Sequence, residues 1–436
     1  MPIRWRFLLC ALIAIAPPAA GQVSGNRGRI VVTPRGPVIL GEEVTIRLDG
    51  LLPGIEYQLV AETVNEWGAL FQSVNTFVAG TSGVIELSQD APVRGSYTRA
   101  DRLGIFWSAV RQGTPPSVGP TDAPADSIQV SLVLRQEGRT VDSTRLVQWL
   151  LRPGATVREL REGGIVGALY QPAGAGPRPL VVLLGGSGGG MTWQRQAAAV
   201  LASHGYLALA LAYFGVPGLP PALSDIPLEY FREAIALSKR HADVDPTHVA
   251  MIGLSRGAEA ALLAATKFPE ISAVVAFAPS HVVFMGQLPP RFPLQAAWTF
   301  GGNPVPYVPT REIRPFRRTD NEAERTLRYL VVNAEAAAAS VIPVERIQGP
   351  ILLFSGGTDP IWPSGLMAEL ITERLAAKGF KQPFQRFSYD SAGHAFARPG
   401  YVSTTPAGFT GGDPRANAYA QVESWRRMLE FLAAWR

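Results

Sequence analysis

Between Arg29 and Leu151 the chain is strand-like and broken by turns, with stretches in which apolar and polar residues alternate one by one, the period of a strand with one buried face. Val44, Ile46 and Leu48 alternate with Thr45, Arg47 and Asp49, and Ile128, Val130, Leu132 and Leu134 do so against Gln129, Ser131 and Arg135. Turn signals punctuate the segment at short intervals, as in Gly50-Leu51-Leu52-Pro53-Gly54 and Val93-Arg94-Gly95-Ser96. The pattern predicts an immunoglobulin-like β-sandwich over residues 29–151, with no acid/base cluster inside it.

Past Pro153-Gly154 the period changes. Leu180 to Leu184, Tyr206 to Tyr213, Val249 to Ile252, Ala273 to Ala278 and Ile351 to Phe354 are continuous apolar runs, suited to strands buried on both faces. Helical stretches such as Glu229 to His241 and Met367 to Lys378 stand between them. The alternation predicts a mostly parallel sheet wrapped by helices over residues 163–436. An insertion at about 281–344, rich in Pro, Arg and aromatics, interrupts it.

Val249 to Ile252 leads straight into Gly253-Leu254-Ser255-Arg256-Gly257 and then into the helix-forming stretch Ala258 to Ala265. Strand, Gly-x-Ser-x-Gly turn and helix make a nucleophile elbow, which exposes one serine Oγ and aims helix N–H groups at it. A second match, Gly185-Gly186-Ser187-Gly188-Gly189, lies in a glycine run that disfavours a helix start. Ser255 is therefore the expected nucleophile. The N–H of Arg256 with that of Gly186 or Ser187 is the expected oxyanion hole. A nucleotide-phosphate cradle competes for the glycines, but no Lys-Ser/Thr pair follows and the acidic partner of a dinucleotide site is missing at its usual distance.

An α/β-hydrolase places its triad in the order Ser, Asp/Glu, His. Two histidines lie beyond Ser255, namely His281 and His394. His394 sits in a loop after the apolar-alternating stretch Gln385 to Tyr389 and leaves room for an acid before it, whereas His281 precedes every plausible acid beyond the insertion. Asp359, directly past the strand Ile351 to Phe354, is the expected acid, with Asp390 as runner-up. The expected fold is an α/β-hydrolase domain preceded by the sandwich.

Composition narrows the setting. Of 436 residues 47% are hydrophobic and 17% charged, a globular balance of two-domain size. A basic start with Arg4 and Arg6, an uncharged run from Phe7 to Ala16 and small residues to Gly21 read as a signal peptide over residues 1–21. The apolar core is too short to span a bilayer, so the expectation is an exported protein, periplasmic or extracellular, with no membrane span after cleavage. Cleavage would remove Cys10, the single cysteine, and with it disulfide, zinc–thiolate and cysteine-nucleophile chemistry. The formal charge of +5 falls by two on cleavage, and the basic residues are scattered, which predicts no nucleic-acid partner. With five histidines and no metal-ligand spacing, neither a metal nor a cofactor is expected.

These residues resemble the acyl-CoA thioester hydrolase / bile acid-CoA:amino acid N-acyltransferase family. The likeness runs through the blocks Gly185 to Gly190, Leu209 to Gly215, Leu228 to Phe231, Gly253 to Gly257, Ile342 to Arg346, and Gly411 to Pro414 with Ala420, Gln421 and Trp425. In the first half Leu70 to Ser73, Gly95 to Tyr97 and Gly104 to Trp107 carry it. The resemblance implies Ser255, Asp359 and His394 as nucleophile, acid and base, and an acyl thioester or ester as the small-molecule partner. Serine rather than cysteine at the elbow resembles the thioester-hydrolysing branch. An exported carboxylesterase or lactone hydrolase, or a non-catalytic envelope binding protein, is the alternative. Asn417 departs from the pattern, standing where the family's tail block has a histidine.

Two features of the insertion bear on substrate. Trp298, with Phe300 and Tyr307, either roofs an acyl pocket or simply packs a subdomain. Arg311, Arg314, Arg317 and Arg318 either meet the phosphates of CoA or form a solvated face beside Asp320, Glu322 and Glu324. Oligomeric state is not legible.

Overall fold

A computed structural model of the chain describes residues 28–65, 68–113, 126–288, 293–310, 321–400 and 410–436. The first half is a β-sandwich. Strands Arg29–Thr33, Thr45–Asp49 and Ile85–Glu86 form one antiparallel layer with Thr45–Asp49 in the middle. The other layer runs in the order Val38–Ile39, Arg139–Trp149, Ser127–Gln136, Glu56–Val64, Leu70–Val78, Arg94–Gly95, with Val110–Arg111 added to Leu70–Val78. Ile46 and Leu48 point inward between exposed Thr45 and Arg47, and they meet Tyr57, Leu59, Phe77, Leu132 and Leu134 of the facing layer.

The second half is built on a main sheet with eight strands among the described residues: β1 (Thr156–Glu162), β2 (Ile165–Gln171), β3 (Arg178–Leu184), β4 (Leu207–Ala212), β5 (Val244–Leu254), β6 (Ala273–Phe277), β7 (Ile351–Gly356) and β8 (Phe384–Tyr389). Their spatial order is β1-β2-β4-β3-β5-β6-β7-β8. β2 is antiparallel to both neighbours, and from β4 to β8 every pair is parallel. This is the α/β-hydrolase architecture that the elbow and the apolar runs predicted. The expected start at residue 163 falls inside the sheet, because Gly163 and Gly164, at φ 59° and 81°, make the two-residue turn of the β1–β2 hairpin.

Among the described residues, seven α-helices of four or more residues stand out around the sheet: α1 (Thr192–Ser203), α2 (Glu229–His241), α3 (Arg256–Ala265), α4 (Glu322–Val332), α5 (Ala334–Ala339), α6 (Ser364–Ala377) and α7 (Pro414–Trp435). α2, α3 and α6 cover one face and α1 with α7 the other. β4 shows how sequence sets the layers. Its leucines 207, 209 and 211 enter the core with α2 and α3, each burial contributing about 1.5–3 kcal/mol. Its alanines 208 and 210 face Ala197, Ala198 and Ala202 of α1, small against small, so that helix lies close to the sheet. The insertion between β6 and β7 carries α4 and α5, and α4 starts on a capping box between Asn321 and Glu324.

Candidate active site

β5 ends at Leu254 and α3 begins at Arg256, leaving Ser255 to make the turn alone at φ 58°, ψ −120°. A non-glycine residue adopts this conformation only where its surroundings enforce it. Here Ser255 N donates to Phe277 O at 2.9 Å, while Ser255 O accepts from Ala258 N at 2.9 Å and Glu259 N at 3.1 Å. The flanking glycines are steric requirements. A Cβ on Gly253 would lie 2.1 Å from Gly257 O, and one on Gly257 would lie 2.2 Å from Leu184 O. The N–H of Arg256 opens the helix, where no intrahelical acceptor exists for it.

The glycine loop after β3 lies against this turn, and a Cβ on Gly186 would sit 3.2 Å from Ser255 Cβ. Tyr213 donates its hydroxyl to Gly185 O at 2.5 Å, Gln194 Nε2 donates to Gly190 O at 3.0 Å, and Gly189 N closes back on Gly186 O at 3.3 Å. Ser187 is exposed within that turn rather than held between a strand and a helix.

Because β5, β7 and β8 are parallel, whatever follows their C-terminal ends gathers at one edge of the sheet. Asp359 follows β7 and His394 follows β8, and His394 Nδ1 bonds Asp359 Oδ2 at 2.8 Å. The carboxylate is almost completely buried, and the imidazole keeps 11% of its side-chain surface exposed. Asp359 Oδ2 also accepts from Ser364 Oγ at 2.7 Å, and Oδ1 from Ile361 N at 2.9 Å and Trp362 N at 3.3 Å. Four donors hold the carboxylate in one orientation. Trp362 itself stands edge-on to the His394 ring at 6.1 Å and stacks on Phe284 at 5.8 Å. Of the rejected candidates, Asp390 is exposed, and His281 is pushed down to about 4 by burial, its Nδ1 lacking a hydrogen-bond partner.

Trp298 requires a correction. It is not a pocket roof: it is fully buried, packs on Tyr213 and Phe231, and donates its indole N–H to Glu259 Oε1 at 2.6 Å. An aromatic in an insertion fits either environment, and only the partner of its N–H separates them. Arg311, Arg314, Arg317 and Arg318 lie outside the described residues.

Glu259 was not anticipated. Its carboxylate, wholly buried, also accepts from Arg256 Nη1 and Phe284 N, both at 3.1 Å, and Arg256 Nη2 donates to Phe284 O at 2.9 Å and Met285 O at 3.1 Å. Burial pushes the Glu259 carboxyl up, against the pull of Arg256, Trp298 and the Phe284 N–H. The network ties the start of the insertion to the helix behind Ser255. One acidic residue inside Ala258–Ala265 was the available signal, since a buried charge demands a partner.

Residues 41–162 match the family model described as acyl-CoA thioester hydrolase/BAAT N-terminal region, and residues 226–435 that described as BAAT / acyl-CoA thioester hydrolase C terminal. The chain is 30% identical over 420 residues to acyl-coenzyme A thioesterase 6 of Mus musculus, covering 92% of this chain and 95% of that protein. It is 28% identical over 423 residues to acyl-coenzyme A amino acid N-acyltransferase 1 of Mus musculus, covering 92% and 96%. Among solved structures it resembles a puromycin-hydrolyzing peptidase of Mycobacterium tuberculosis, at 16% identity and a TM-score of 0.45 over 93% of this chain and 67% of that one.

Proposed function

The chain belongs to the acyl-CoA thioester hydrolase/BAAT family, and from that premise we propose that it hydrolyses acyl thioesters through a covalent acyl-serine on Ser255. His394 serves as base and then acid, and Asp359 orients it. The observation that carries this reading is the 2.8 Å hydrogen bond between His394 and Asp359 at the sheet edge where the strained Ser255 turn also lies.

Ser255 Oγ adds to the thioester carbonyl carbon while its proton passes to His394 Nε2. Charge developing on the carbonyl oxygen meets the N–H of Arg256 and those of Gly186 and Ser187. Collapse breaks the C–S bond, and His394 hands the proton to the leaving sulfur. Water then attacks the acyl-serine by the same proton route and releases the carboxylic acid. Serine at the elbow supports hydrolysis over transfer to an amine, because the family resemblance implies a cysteine there in the amide-forming branch and a serine in the thioester-hydrolysing one.

The test is kcat/KM for an acyl-CoA, for the same acyl group on a small uncharged thiol, and for its oxygen ester. The reading expects both thioesters to be cleaved and the CoA thioester to be preferred. Turnover of the oxygen ester alone would overturn it in favour of an esterase. We also read residues 1–21, which lie outside the described residues, as a signal for export. N-terminal sequencing of the native protein should begin near Gln22, and an intact Met1 would contradict export.

A further inference from the structure

Asp101 belongs to the sandwich, yet two of the four donors around its buried carboxylate come from the end of the chain. Leu103 N and Trp107 Nε1, at 2.8 and 3.2 Å, hold it within its own domain. Arg415 Nε at 2.6 Å and Tyr419 OH at 2.7 Å reach it from α7. Burial alone would raise this carboxyl, and the hydrogen bonds from Tyr419, Arg415, Leu103 N and Trp107 outweigh it, holding the group below the ordinary carboxylate range. The Arg415 guanidinium lies 4.9 Å above the Tyr419 ring, and Tyr419 and Val422 pack against the sandwich core.

Residues 415 and 419 share one face of the helix, and residue 417 between them points the other way. Asn417 turns to the loop that bears His394. Its Oδ1 accepts from Gly393 N at 2.8 Å and its Nδ2 donates to Gly411 O at 3.0 Å. The segment leading into α7 is laced to the same loop, His394 N donating to Thr410 O at 2.7 Å and Asp413 N to Ser391 O at 2.9 Å. Farther along α7, Trp425 Nε1 donates at 2.9 Å to Ala397 O, which also accepts from Trp193 Nε1 at 3.1 Å. The loop is thus gripped by α7 before and after His394.

We propose that the sandwich braces the hydrolytic site: it fixes α7 through Asp101, and α7 sets the position of the His394 loop through Asn417, making Asp101 and Asn417 positioning residues. The proposal rests on His394 being the catalytic base. Contacts between domains usually permit relative motion, and a charge-assisted link in which two donors of α7 meet a buried carboxylate, itself fixed by two donors of the sandwich, resists it. A displacement of about 1 Å in a reacting group costs on the order of 100-fold in rate, so the brace acts on kcat.

The experiment compares Asn417→Ala, Asp101→Asn, their double variant, Tyr419→Phe and His394→Ala on an acyl thioester, with thermal unfolding as the check on folding. Asn417→Ala and Asp101→Asn should each lower kcat about 10- to 100-fold while KM stays within about two-fold. The double variant should be no worse than the more severe single, because both act along one path. Tyr419→Phe removes one donor of four and should lower kcat about three-fold, which keeps the test valid if Asp101→Asn fails to fold. If His394→Ala keeps its kcat, the catalytic reading beneath the proposal fails. If His394→Ala is dead while Asn417→Ala or Tyr419→Phe turns over normally, or if the double variant multiplies the single losses, the brace is wrong and the catalytic reading stands.

Discussion

Ser364 donates its hydroxyl to Asp359 Oδ2 at 2.7 Å, the same oxygen that bonds His394 Nδ1. Ser364 is the first residue of α6 and is fully buried, so no water replaces its hydroxyl when it is removed. Ser364→Ala should leave the protein folded and lower kcat about 10-fold, equivalent to ~1.4 kcal/mol, with KM little changed. A variant with normal kcat would show that Asp359 keeps its orientation through Ile361 N and Trp362 N alone.

Glu259 and Arg256 give a prediction about stability. Truncation of Glu259 strands a buried guanidinium and leaves the Trp298 and Phe284 N–H groups without their acceptor. Glu259→Ala should cost about 3–5 kcal/mol in urea unfolding, and Glu259→Gln, which retains an acceptor, should cost less. A loss under about 1 kcal/mol for Glu259→Ala would mean that the insertion is held by other contacts.

Asp101 predicts a pH dependence. Its folded-state value is depressed, so its stabilising contribution is present above the unfolded value near 3.8 and is lost as pH falls through the lower, folded one. The difference in melting temperature between wild type and Asp101→Asn should therefore be full at pH 7 and shrink below about pH 4. A gap that stays constant down to pH 3 would contradict the charged link to Arg415 and Tyr419.

Strands were legible where burial writes a pattern, alternating in sandwich strands with one buried face and continuous in sheet strands buried on both. β4, Leu-Ala-Leu-Ala-Leu-Ala, reads as a strand buried on both faces; Asp359 could be located because it closely follows such a strand, and His394 because it is one of two histidines beyond Ser255 and leaves room for the acid before it, although no residue of β8 is buried. β1 was invisible. It lies at the sheet edge with only Leu160 buried, so its composition is that of a loop. The link between Asp101 and Tyr419 spans 318 residues and leaves no local trace at either end. Trp298 was ambiguous for a different reason, since a core tryptophan and a pocket tryptophan look alike until the partner of the indole N–H is known.

The covalent acyl-serine is the claim on which the rest depends, and the turnover of Ser255→Ala on an acyl thioester tests it most directly. The structure confines Ser255 to a turn in which alanine at the same position keeps the backbone and loses only the Oγ, so a folded protein is expected. The account predicts that kcat falls by about 10⁴-fold or more. Turnover within about ten-fold of wild type would contradict it, and a corresponding loss in Ser187→Ala instead would move the nucleophile to the glycine loop.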